Sequence, residues 1–320
     1  MSHIFFETQQ LTAVSKNLLC VVLYFDIFSY PLTAAEIFDR SSSKSKEEVL
    51  QQLEYLLEAG LIYRFGEFFS TRNNPLLVKR RIEGNTRALK YMKKARRISK
   101  MMGCFPFVRS VMLSGSISKM YMDEQSDIDY FIVTAPKRLW IARFFFVLFH
   151  KTLFLNRTRF FCYNYMISAD HLTIARQNTY TAAEIVTLIP TYGSEGYREF
   201  LQENTWTRKF FPNFPIPVSE NISEGTALIK RLLERIFSGS LGEQLDICLM
   251  KHTQRRWHKR QPPEMFADPE AFMSLKRHTA KGHTQDHYPR ILKAYNDSIR
   301  NFERKHGFSL SPGVILHIDF

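Results

Sequence analysis

Apolar residues crowd positions 14–28, VSKNLLCVVLYFDIF, at a spacing that predicts a helix, and Pro31 ends the connection that follows. In PLTAAEIFDR, Thr33 stands three residues before Glu36, the pattern of a hydroxyl N-cap answered by an acid, and a short second helix is expected there. Ser45 and Glu48 repeat the arrangement before EVLQQLEYLLEA, where Val49, Leu50, Leu53, Leu56 and Leu57 make one apolar stripe that Gly60 stops. LIYRFGEFFSTR then places two β-prone runs around Gly66, which reads as a hairpin.

Three helices followed by a small hairpin is the order of a winged helix-turn-helix, with the third helix as the one that would enter a DNA groove. That helix carries Glu47, Glu48, Glu54 and Glu58 against Lys44 and Lys46 nearby, poor chemistry for approaching phosphates, so packing or dimerisation is the expected use. Residues 76–102 read as one long helix with ten Lys or Arg and a single Glu, and Ile82, Leu89, Met92 and Ile98 as its expected buried side. Its basic stretch, 79–100, is a candidate nucleic-acid contact, with a solvated linking helix as the alternative. Pro106 breaks the helix, and VRSVML begins a strand.

Arg143, His150 and Lys151 interrupt RLWIARFFFVLFHKTLFL, which therefore falls short of a clean apolar span of about 18 residues and predicts a buried core helix, without stable membrane insertion. From about residue 225 the pattern is helical, after a boundary at PNFPIPVSENISEG. The expected organisation is α+β: a winged-helix-like region over 1–75, a basic linking helix over 76–104, a central core over 105–212 and a helical C-terminal region over 220–320.

Composition changes this picture in two ways. The 320 residues are 45% hydrophobic and 23% charged, the composition of a globular rather than a disordered or fibrous chain, and the net charge of +13 points to an anionic partner such as nucleic acid, nucleotide phosphates or an acidic membrane surface, with a solvated basic surface as the alternative. Of the four cysteines, Cys20, Cys162 and Cys248 sit in apolar runs, and the wide spacing reads as buried free thiols of a reducing, cytoplasmic compartment. The opening MSHIFFETQQ has neither the basic nor the long apolar part of a signal peptide.

The chemistry gathers in LSGSISKMYMDEQSDIDYFIV, residues 113–133. A strand runs into a turn at Gly115 and Ser116, and a second strand begins with aspartates at alternate positions. Period 2 puts Asp127 and Asp129 on one face, with Ile128 pointing into the core. Carboxylates held that close repel one another unless a cation lies between them, and an all-oxygen donor set suits Mg²⁺ or Mn²⁺. The small-residue turn offers backbone N–H groups and a hydroxyl to a phosphate chain.

A Gly-Ser pair, ten residues, then Asp-Ile-Asp on a hydrophobic strand resembles the signature of the DNA polymerase β-like nucleotidyltransferase superfamily. The wider stretch, VRSVMLSGSISKMYMDEQSDIDYFIVTAPKRLWIAR, FCYNYMI and YTAAEIVTLIPTYG, resembles uncharacterised prokaryotic members that join a winged-helix-like region to this core; the likeness covers about residues 10–200. It implies a nucleotidyltransferase palm, a mixed sheet with helices, in which Gly115 and Ser116 hold NTP phosphates and Asp127 and Asp129 bind the metal. It also implies transfer of an NMP to an unidentified acceptor hydroxyl (on nucleic acid, protein or a small molecule), with release of pyrophosphate. The superfamily usually adds a third carboxylate on the next core strand. Here the corresponding position is Asn164, which can ligate a metal but brings no charge. Asp170, at the end of that strand, is the expected substitute, and Glu184 the next option. Without a third carboxylate, the alternative is a catalytically impaired, nucleotide-sensing winged-helix regulator of DNA.

Two further basic positions are candidates for nucleotide phosphates: Arg138, just after the acidic strand, and Lys281, in a basic loop with Lys276, Arg277 and His283. His283 and His287 stand at i and i+4, a metal spacing only on a helix, which Gly282, Thr284 and Pro289 oppose.

Overall fold

The computed structural model of the chain describes residues 11–153, 158–216, 222–225, 228–266, 273–282 and 287–310. The chain divides into two compact units, each discontinuous in sequence: one holds residues up to Arg81 with Thr207–Pro215 and the stretch from Pro289, the other Ile82–Trp206 with Ile216–Tyr288.

The first unit is built from α1 (Ala13–Asp26), β1 (Leu32–Thr33), α2 (Ala34–Arg40), α3 (Lys46–Glu58), β2 (Tyr63–Phe65) and β3 (Phe68–Ser70). The capping box forms as its spacing predicts: Thr33 Oγ1 accepts the N–H of Glu36, and the Glu36 carboxylate accepts the N–H of Thr33. At α3, Ser45 accepts the N–H of Glu48, but the Glu48 carboxylate turns to the N–H of Lys44. The three strands pair antiparallel in the order β1-β3-β2. Leu18, Leu19, Leu32, Ile37, Leu53 and Leu56 are fully buried between the helices and this small sheet. Asp26, at the end of α1, accepts hydrogen bonds from Ser70 Oγ and the N–H and hydroxyl of Thr71, which ties α1 to the end of β3.

The second unit follows α4 (Leu76–Gly103), within which the division between units falls, and contains β4 (Val108–Ser114), the single turn α5 (Gly115–Ser118), β5 (Asp129–Thr134), α6 (Leu139–Leu153) and β6 (Cys162–Ser168). It continues with α7 (Thr179–Val186), β7 (Ile189–Tyr192), α8 (Ser194–Glu203), α9 (Leu228–Ile236), α10 (Ser240–His258), β8 (Met273–Lys276) and β9 (Thr279–Gly282). α11 (His287–His306) lies almost wholly in the first unit, where Tyr295, Ile299 and Phe302 are buried.

Six strands form one mixed sheet, β7-β4-β5-β6-β9-β8, in which only β5 and β6 run parallel. α6 makes the crossover that a parallel pair requires. Alternate residues of the central strands, Val111 and Leu113 on β4, Tyr130 and Ile132 on β5, join Ala88, Ala95 and Ile98 of α4 and Trp140 and Phe146 of α6 in one core. Phe131 faces the other side, its ring 4.9 Å from that of Phe200 on α8.

The fold is thus α+β, and three local expectations change. Ile82 and Leu89 are 51% and 62% exposed; the buried stripe of α4 runs instead through Ala88, Ala95, Ile98 and Met102, because small residues allow the helix to lie close to the sheet. The region after residue 225 is not wholly helical, since 273–282 forms the β8–β9 hairpin that extends the large sheet, and Lys276, Lys281 and Arg277 belong to that hairpin rather than to a loop. All four cysteines are free thiols, but only Cys20 is buried, and Cys104 and Cys248 are exposed. The α6 segment packs into the core as expected, and among the described residues no helix is long and apolar enough to cross a membrane.

Two buried ionic groups hold helix ends in the second unit. Asp246 of α10 accepts the N–H groups of Trp140 and Ile141, in the first turn of α6, at 2.8 and 2.9 Å. Lys230 of α9 donates to the carbonyls of Gly103 and Val108 at 2.8 and 2.7 Å, closing the C-terminal end of α4; burial pulls its pKa down to about 8.

Candidate active site

β4 ends by handing the chain to Gly115, whose φ of +67° starts the single turn of α5. Across the β4–β5 ladder Ser114 pairs with Asp129, so the turn and the carboxylate are neighbours by register. A Cβ on Gly115 would lie 2.4 Å from Asp129 Oδ2. Glycine at this position therefore has two causes: the left-handed backbone, and the space that the carboxylate occupies.

Asp127 is exposed and precedes the strand; Asp129 is its first residue and partly buried, and Ile128 between them is buried, as alternation predicts. The connection is fixed through the backbone of Ile128: its N–H donates to the Arg159 carbonyl at 2.8 Å, and its carbonyl accepts the N–H of Cys162 at 3.2 Å. The loop leading to Asp127 is laced to α4, where Gly84 accepts the N–H of Met122 and Arg87 donates to the Met122 carbonyl.

Burial raises the Asp129 pKa to about 6, and the negative charges of Asp127 and Glu184 push in the same direction against a hydrogen bond from Cys162 and the charge of Lys119. Glu184 reaches this cluster from α7, whose N-terminus Asn178 caps at the N–H of Thr181. Lys119 Nζ bridges the Glu184 carboxylate at 2.8 Å and the Gly115 carbonyl at 3.1 Å. Asp127 and Glu184 thus add negative charge around Asp129, and Lys119 adds positive charge, a setting whose acidity a bound cation would lessen.

The other predicted positions fall elsewhere. Asp170 follows the C-terminal end of β6, whereas Asp129 pairs with Cys162 at its N-terminal end, so the parallel register separates the two by the length of the strand. Burial raises the Asp170 pKa, but hydrogen bonds from Ser168 and His171 outweigh it and hold the carboxyl below its ordinary value. Of the two substitutes considered for a third carboxylate, Glu184 is near enough to act on Asp129 electrostatically and Asp170 is not, though Glu184 is paired to Lys119 and is not gathered with the two aspartates into one metal-holding group. The side chain of Asn164, on β6, lies outside the described residues, as do His283 and the side chain of His287.

Arg138 does not face the site. Its guanidinium is committed to the backbone carbonyls of Phe237, Ser238 and Gly239 between α9 and α10, and of Lys137, so its role is to close those chain ends and not to contact phosphate. Lys281 projects from β9 beside Tyr165 of β6 and lines a cavity of about 620 Å³ with Asp170, His171, Lys276 and His278. Neither Asp127 nor Asp129 lines that cavity. The imidazoles of His171 and His278 stack there with centroids 4.0 Å apart, and burial together with His171 lowers the His278 pKa.

Sequence reasoning missed Cys162 and Lys119. Cys162, not Asn164, is the β6 residue in register with Asp129, and its side chain bonds the carboxylate. Its position at the mouth of an apolar strand gave no signal in one sequence. Lys119 carried a usable one, standing four residues after Gly115.

The residues fit a divalent cation in charge and donor type: two oxygen ligands of the Asp127-Asp129 kind, beside a turn whose missing side chain leaves the Asp129 carboxylate accessible. Among the described residues no group of three or more His, Cys, Asp and Glu is gathered to hold a metal alone, so the remaining ligands would come from phosphate oxygens and water. No protein-family model matches the chain, and comparisons with curated proteins and with solved structures find no match either.

Proposed function

We propose that the chain is a metal-dependent nucleotidyltransferase. The observation that carries this reading is the close approach of the Gly115 turn to Asp129, with Asp127 alongside: a small-residue turn and a carboxylate pair meet where β4 ends and β5 begins. The Gly115-Ser116 turn would hold the phosphates of an NTP, and Asp127 and Asp129 would hold Mg²⁺ or Mn²⁺. When bound, the cation supplies charge neutralisation at the phosphates. An acceptor hydroxyl would form the new O–P bond at the α-phosphorus as the bridging bond to the β-phosphate breaks. Pyrophosphate leaves and the hydroxyl proton passes to water. Lys119 would keep Glu184 paired and the Gly115 carbonyl fixed, so that the turn holds its shape as charge accumulates.

Incubation with α-labelled NTP, Mg²⁺ or Mn²⁺ and candidate acceptors tests this. Asp127→Ala and Asp129→Ala should each lower labelled transfer by about 100-fold or more, the scale for removing one group that meets the reacting charge. Undiminished transfer in both variants would overturn the assignment of the site.

One observation favours a second reading, an impaired enzyme serving as a nucleotide sensor: the thiol of Cys162, in place of a carboxylate, flanks Asp129 on β6. The helix-strand-helix-helix-hairpin order of the first unit and its β1-β3-β2 sheet support a winged-helix-like module. Exposed Glu47, Glu54 and Glu58 on α3, with Glu54 paired to Arg64 of the hairpin, support packing over DNA reading by that helix.

A further inference from the structure

Beyond the carboxylates, one face of α4 is densely basic. Lys90, Lys93, Lys94, Arg97 and Lys100 are all exposed, and after Glu83 the helix has no acidic residue. Their spacing of three and four places them in one ridge on the side away from buried Ala88, Ala95 and Met102, about 15 Å long at the helical rise.

The ridge meets an aromatic pair. The rings of Tyr91 on α4 and Phe160, in the 3-10 turn Thr158–Phe160, lie 5.7 Å apart and tilted by 34°. Lys94 Nζ sits 3.2 Å from the Phe160 centroid, and the Arg159 guanidinium is 5.6 and 5.5 Å from the two rings. Both rings are half-buried, so each presents an edge or face beside a cation. Arg87 and Arg159 are held by the loop before Asp127, through the Met122 and Glu124 carbonyls, and are therefore anchors more than free phosphate donors.

This cluster adjoins the acidic pair directly. The Arg159 carbonyl takes the N–H of Ile128, the residue between Asp127 and Asp129. A chain lying on the ridge and crossing Phe160 would bring its end to the carboxylates.

We infer that the Lys90–Lys100 ridge and the Tyr91–Phe160 pair form a track for single-stranded nucleic acid, whose terminal hydroxyl is the acceptor. The inference rests on the transferase reading for the acceptor role, while the binding itself does not. Phosphates meet the lysines and Arg97, and bases stack at the aromatic pair, the combination that binds single strands without reading sequence. A duplex would keep its bases from the rings.

The test uses the full chain, a fluorescein-labelled RNA of about 20 nucleotides, the same RNA as a duplex, and vesicles of anionic phospholipid. Fluorescence anisotropy is read across a salt series for wild type and for K90E/K93E/R97E, whose changes fall on exposed side chains. Stabilisation by NTP with Mg²⁺ is read in parallel on both proteins. Single-strand affinity should fall at least 10-fold in the triple variant, with the slope of log affinity against log salt shallower by about 2, while NTP stabilisation is unchanged. Equal RNA binding by the two proteins, no RNA binding by wild type, tighter binding of the duplex, or binding of vesicles in place of RNA would each overturn the track. Ridge-dependent RNA binding with no NTP stabilisation in either protein would uphold the track and remove the transferase reading instead.

Discussion

Asp129 and Asp246 are both carboxylates whose pKa burial raises to about 6, and their surroundings differ. Both N–H groups of α6 point at Asp246 Oδ1 and Arg138 and Arg277 lower its pKa from nearby, while its Oδ2 is buried with no hydrogen-bond partner among the described residues. Asp129 is surrounded by acids, Asp127 and Glu184, with a thiol and one shared lysine in opposition. Burial and a raised pKa therefore do not by themselves separate a carboxylate that caps a helix from one set among other acids; the groups around each do. Asp246, bonded through Oδ1 to the first turn of α6, holds the fold.

Exchanging the two should show this most strongly. Asp246→Ala leaves the N–H groups of Trp140 and Ile141 without their acceptor and should cost about 2–3 kcal/mol of stability by urea unfolding. Asp129→Ala should cost little or nothing in the absence of metal, since it relieves repulsion, while abolishing metal-dependent nucleotide binding. A variant of Asp129 destabilised as much as that of Asp246 would erase the distinction.

The pH dependence sharpens it. A raised folded-state pKa means that between about pH 4 and 6 the folded chain keeps a proton that the unfolded chain has lost. The favourable contribution is thus complete below about pH 4 and is lost as pH rises through 6. Asp246→Asn keeps an oxygen acceptor and carries no charge. Its stability relative to wild type should therefore improve between pH 4 and pH 7, by about 2 kcal/mol, in paired unfolding curves. A difference constant with pH would mean that Asp246 is not buried as a charge.

The smallest effect concerns two glycines of equal backbone. Gly60 and Gly115 both have φ of +67°, but a Cβ meets nothing within 4 Å at Gly60 and meets the Asp129 carboxylate at Gly115. Alanine at either position should cost about 1 kcal/mol from backbone strain. Only Gly115→Ala should also remove the stabilisation by NTP and Mg²⁺, measured by thermal shift. If Gly60→Ala removed it as well, the close approach at Gly115 would not be what matters.

What depends on neighbours along the chain was legible in the amino-acid order alone. The capping box at Thr33, the hairpin around Gly66, the long basic helix and the alternation that buries Ile128 between two aspartates all follow from spacing, because caps, turns and periodicity act within a few residues. Tertiary structure decided what depends on register and on partners far away in sequence. The parallel pairing of β5 with β6 brings Cys162 to Asp129 and carries Asp170 to the other end of the strand. Folding gives the donors of Arg138 to carbonyls about a hundred positions on. It also turns 273–282 into strands by offering β6 as a template. Charge and periodicity are properties of a segment, whereas the group that answers a charge is chosen by the fold.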